Sequence, residues 1–167
     1  MRLFPSLLLL LFLIGCSEKG QSDKYLRWVG DSVFNEQLDS TNFQLCNKEK
    51  NVNQYFHLQE GMQYKGEKIM LVKHFFDQYK QVDVNQSGWI RIRFIVNCKG
   101  ESGRFRIISS YKNYTSQSFD KRITNQLLEL TRSLDGWEIQ SKNEKTKDYY
   151  QYLIFKIDNG KLIEIMP

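Results

Sequence analysis

The stretch from Trp89 to Cys98 alternates cleanly, with Ile90, Ile92, Phe94 and Val96 at one parity and Arg91 and Arg93 at the other. A period of two puts the first set on one face of a pleated strand and the second on the opposite face, so this segment reads as a half-buried β-strand. Lys99-Gly100 and Gly103 supply turn chemistry, and Arg104-Phe105-Arg106-Ile107 resumes the alternation, which makes a hairpin. The outward arginines read as the solvated face of the sheet, worth little individually. A phosphate or nucleic-acid stripe would need aromatic residues interleaved on that same face, and none is expected there.

The apolar face of this hairpin must be covered, and the flanking segments have helical periods. Phe119, Ile123, Leu127, Leu130 and Leu134 recur at spacings of four, four, three and four. Ser118 is placed to cap that helix, Asp120 falls in its first turn, and Gly136 stands where a left-handed C-cap residue belongs. Upstream, Ile69, Val72, Phe76 and Tyr79 follow a second helical face, with Glu67 near the helix start. Downstream, residues 140–147 read as a polar loop. Asp148 to Ile157 is strand-like with two apolar faces open, either Leu153, Phe155 and Ile157 or Tyr150, Tyr152 and Ile154. Asp158-Asn159-Gly160 is a type I′ turn signal, and Lys161 to Met166 is the return strand. The order helix, hairpin, helix, hairpin predicts an α+β fold, a small antiparallel β-sheet with helices packed on one face. A length of 167 residues suits one domain, and 41% hydrophobic with 14% aromatic residues argues against wholesale disorder. The net charge of +5 is too mild and too evenly spread for a nucleic-acid binder.

The first residues carry an address. Met1-Arg2 gives one positive charge, Leu3 to Ile14 is apolar apart from Pro5 and Ser6, and Leu13-Ile14-Gly15-Cys16 follows. The apolar run is too short to cross a bilayer, which takes about 20 residues, and matches a secretory signal. Leu13 to Cys16 resembles the lipobox of bacterial lipoproteins. The resemblance implies that residues 1–15 are removed and that Cys16 is lipidated, holding the protein on a membrane through two or three acyl chains. No aspartate follows Cys16 directly, which points to the outer membrane. Residues 16–24 then form a short tether. Residues 25–59 form a lead-in that packs Trp28, Phe34 and Phe43 onto a domain at 60–167. Once Cys16 is acylated, Cys46 and Cys98 remain, and in an oxidising compartment they either pair or stay as two buried thiols. A bridge between them would close a loop of about 50 residues.

Catalytic constellations are missing from the sequence. His57 and His74 are 17 residues apart, without the spacing that puts two metal ligands on one helical face, and His74 reads as a surface or capping residue. Cys46 and Cys98 lack a CxxC arrangement. Nucleophile-elbow, phosphate-loop and dinucleotide motifs do not occur. No enzyme, no cofactor and no metal is therefore expected.

Residues 60–167 resemble the C-terminal domain of the TonB family. Gly88 to Asn97 followed by Lys99-Gly100 is similar to the family's first strand and its glycine-containing turn. Arg104 to Ser110 is similar to the second strand, and Phe119-Asp120 opening a helix that ends before Trp137 is similar to its Leu-Asp helix and tryptophan. Ile154-Phe155 is similar to the third strand. The resemblance implies that an extended segment of an outer-membrane transporter, or another protein or peptide partner, adds to an exposed sheet edge. That edge is offered by Tyr149 to Ile157 or, beyond it, by Lys161 to Ile165. The candidate partner-binding residues are Tyr150, Tyr152, Ile154, Leu162 and Ile163. The family's energy transducers also have a transmembrane helix and a long Pro-rich spacer, whereas this chain has a lipobox and only Pro5 and Pro167. Energy transduction is therefore not expected. The competing expectation is a structural or assembly lipoprotein that self-associates, as a homodimer, through the same edge.

Overall fold

Alternation along the arginine-bearing segment produces an antiparallel hairpin of β1 (Gly88–Val96) and β2 (Ser102–Ser110), from Trp89 opposite Ser110 to Val96 opposite Ser102. The computed structural model describes residues 33–54, 62–142 and 145–166. The signal segment, Cys16, the tether at 16–24, Trp28 and His57 lie outside the described residues.

A second hairpin joins β5 (Tyr149–Asp158) to β6 (Lys161–Met166). Its two-residue loop puts Asn159 and Gly160 at φ 47° and 67°, as a type I′ turn requires. Gly160 is further constrained, because a Cβ there would lie 1.9 Å from the Val82 carbonyl oxygen. β5 docks antiparallel on β1, giving a four-stranded sheet of order β2-β1-β5-β6. The polar stretch read as a loop instead contains a small separate hairpin, β3 (Gln140–Lys142) with β4 (Lys145–Lys147). Every residue of these two strands is polar, so periodicity cannot distinguish them from a loop. The fold is α+β.

Among the described residues, two α-helices cover one face of the sheet. Helix α2 (Lys121–Arg132) turns Ile123 and Leu127 onto the core, flanked by buried Phe119 and Leu134. Asp120 caps it in place of Ser118, accepting the Arg122 backbone N–H at 2.8 Å. The C-cap is Ser133, and Gly136 is not left-handed; a Cβ at Gly136 would instead press to 2.9 Å from the Tyr64 ring. Helix α1 (Glu67–Gln78) buries Leu71 and Phe75 in place of the expected Ile69, Val72 and Phe76, while Tyr79, just beyond its end, does pack against the core. Ile69 is 79% exposed and Phe76 45%. The segment Ile69–Val72 is apolar throughout, so two stripes about one residue apart compete, and the fit of Phe75 against Phe155 (ring centroids 4.8 Å apart) selects one. The core between helices and sheet also takes Ile90, Ile92 and Phe94 of β1 and Leu153, Phe155 and Ile157 of β5. Of the two faces open for β5, the second (Tyr150, Tyr152, Ile154) therefore lies on the sheet's far side, away from the helices. No helix among the described residues is long and apolar enough to cross a membrane.

Candidate functional site

Two features of this architecture offer a surface to something else: the sheet's edges and its far face. The order β2-β1-β5-β6 makes β5 an interior strand, paired with β1 along its length and with β6 from Ile154 onward. Tyr149 to Ile157 is thus interior from Ile154 onward, and beyond the end of β6 the described lead-in meets its free side at Tyr149 and Tyr150 through Asn53. The expectation is corrected for the physical reason that strand neighbours are chosen by long-range packing, which spacing along the chain does not encode. β6 is an edge. Among the described residues its main chain bonds only to β5. The register slips between Lys156 and Ile157, leaving Ile163 as the extra residue of a bulge, 41% exposed. The opposite edge, β2, is partly occupied. The turn after it folds back so that the Gln117 N–H donates to the Ser109 carbonyl (3.1 Å), and the Ser109 hydroxyl donates to the Gln117 carbonyl (2.8 Å).

The five candidate partner-binding residues separate. Leu162 is 3% exposed and belongs to the core, so it is corrected to a packing residue. Tyr150, Tyr152 and Ile154 stand on the far face of an interior strand, and Ile163 alone lies on the open edge. Strand alternation explains the split, since neighbours in β6 point to opposite faces.

The far face is not a solvated row of arginines. Arg93 is only 3% exposed, its guanidinium lies 4.0 Å from the Tyr150 ring centroid, and it donates to Gln54 Oε1 at 3.0 Å. Arg91 lies 5.9 Å from the Tyr152 ring and Lys156 5.5 Å from that of Trp89. Aromatic interleaving does occur on this face. It escaped the reading of β1 because the tyrosines come from β5, about sixty positions later, where Tyr152 pairs with Arg93.

The lead-in supplies the acceptors for the hairpin's basic residues. Asp39 accepts two bonds from the Arg106 guanidinium, both 2.7 Å, and its side chain is 2% exposed. That guanidinium holds the Asp39 carboxyl below the usual carboxylate range. Glu49 pairs with Arg104 at 3.0 Å, and Phe43 seats its ring over Gly103, where a Cβ would come within 2.2 Å of it. A disulfide joins Cys46 to Cys98. Beside it the fully buried Asp148 accepts the backbone N–H groups of Cys46 (3.2 Å), Asn47 (2.7 Å) and Cys98 (3.0 Å). Asn53 then bridges to Tyr149, its carbonyl accepting the Tyr150 N–H at 2.8 Å. The anchoring role of Asp148 has no local signal; one polar residue before a strand reads as a turn.

Arg91 is the exception among the four arginines of the hairpin. It forms no ion pair among the described residues, and its Nε is shielded from solvent without an acceptor there. It borders a cavity of about 310 Å³ at the end of the far face away from the β1–β2 turn. Trp89 and Arg91 come from β1, Ile108 and Ser110 from β2, and Ile154 and Met166 from the β5–β6 side, with Tyr114 completing the wall.

His74 packs between the helices, Nε2 donating to the Leu130 carbonyl at 3.0 Å and Nδ1 accepting from Gln78. This is a capping contact. Cys46, Cys98 and Asp148 cluster within 4.8 Å, but the sulfurs are bonded to each other and the carboxylate is taken up by main-chain donors. No family model, no curated protein and no solved structure matches this chain.

Proposed function

We propose that this chain is a lipid-anchored protein of the bacterial cell envelope, probing other polypeptides with a TonB C-terminal-like domain and performing no catalysis. A partner's extended segment adds as a strand beyond β6, in the manner of β-augmentation, with backbone bonds supplying affinity. The observation that carries the reading is the asymmetry of the sheet: β6 bonds to β5 alone among the described residues, while β2 is folded back upon at Ser109. The Cys46–Cys98 disulfide suits an oxidising compartment outside the cytoplasm, in line with the lipobox at Cys16. An outer-membrane transporter is the partner class the resemblance favours. The domain acts as a binding module and transduces no energy of its own.

The test is a photoreactive residue at position 163, compared with one at the exposed Ile69 on α1, in intact cells. Adducts to an envelope protein from position 163 and not from position 69 are expected. Adducts only between copies of this chain would favour the alternative, self-association through two-fold pairing of β6 edges. No adduct from position 163 would remove both.

A further inference from the structure

The cavity beside Arg91 lies on the far face, apart from the β6 edge, and has its own chemistry. Arg91 is flanked across the sheet by Ile108 on β2 and Ile154 on β5, so a guanidinium stands between two apolar neighbours. The acids of β5 and β6 pair with lysines, Glu164 with Lys156 (3.9 Å) and Asp158 with Lys112 (2.9 Å). The described part of the lead-in answers the hairpin's other three arginines through Gln54, Glu49 and Asp39, and no partner for Arg91 comes from it. Arg91 Nε and Trp89 Nε1 are both shielded from solvent with no acceptor among the described residues. Buried donors left unmatched cost about 1–3 kcal/mol each, so an acceptor arriving there is favoured.

We propose that this cavity binds a small molecule carrying a single carboxylate on an apolar, preferably aromatic, body. The planar guanidinium of Arg91 pairs naturally with a carboxylate. The Trp89 and Tyr114 rings and the Ile108, Ile154 and Met166 side chains line the space for the body. Arg91 is the one charged residue among those lining the cavity, and a single positive charge suits one carboxylate better than a doubly charged phosphate. The volume of about 310 Å³ falls at the small end of the ligand-pocket range of roughly 300–1,000 Å³. The site is independent of the edge reading and stands if no strand ever adds to β6.

The full chain, as its host cell processes it, is titrated calorimetrically with phenylbutyrate and, separately, with its uncharged isostere phenylbutyramide. Saturable binding of the acid, one molecule per chain and at least about tenfold tighter than the amide, is expected. Arg91→Gln should bring the acid down to the amide's affinity without shifting the melting temperature. Ile108→Trp, which fills the cavity, should abolish binding of both. The proposal falls if the acid does not saturate. It also falls if acid and amide bind equally, or if Arg91→Gln binds the acid like the parent.

Discussion

Asp39 and Arg106 are 67 positions apart and meet as a bidentate pair with the carboxylate almost fully enclosed. The pair sets a pH dependence. Because the Arg106 guanidinium depresses the folded-state pKa of Asp39, the unfolded chain takes up a proton first as pH falls. The stabilisation is complete above the ordinary carboxylate value of about 4 and is lost as pH drops through the depressed folded value. Denaturant midpoints taken between about pH 5 and about pH 3 should fall more steeply for the parent than for Asp39→Asn. Equal slopes would show that the pair contributes nothing to folding. Asp148 makes the complementary point about legibility. As a letter it is one polar residue ahead of a strand, yet it gathers three main-chain donors from two distant segments.

Among the elements, α2 was the most legible, since its stripe has no competitor: Ile123 and Leu127 are fully buried and polar residues fill the positions between. Leu127→Asp places an unpaired charge in that seam and should cost more than about 4 kcal/mol, abolishing the cooperative thermal transition. A retained transition near the parent's melting temperature would contradict the burial. Helix α1 shows the opposite case. Leu71 with Phe75 and Val72 with Phe76 are both pairs at a spacing of four, so periodicity establishes that a helix exists and not which way it faces. Strand β5 had the same ambiguity between its two faces, and contact with the helices settles it in favour of Leu153, Phe155 and Ile157.

At the scale of the whole molecule, the described lead-in is fastened to the domain at several separate points. The Cys46–Cys98 bridge, spanning 52 positions, is the covalent one. Replacing both cysteines by serine should lower stability by roughly 4 kcal/mol in the chain-entropy account. Adding Asp148→Ala should cost about 2 kcal/mol more, because three buried main-chain donors lose a charged acceptor. Denaturant unfolding of the two variants measures both, and a double-serine variant as stable as the parent would show that the Asp148 and arginine contacts alone hold the lead-in. Local periodicity was enough to establish the order of the two helices and of the four strands of the main sheet, though not the polar β3–β4 hairpin, and hence the α+β class, because each depends on residues within a few positions of one another. The strand order that makes β6 an edge and sets β5 between β1 and β6, the helix face of α1, and the placement of Arg91 beside its cavity came from contacts across dozens of positions. Those depend on how volumes and charges fit in three dimensions, and no period along the chain carries that information.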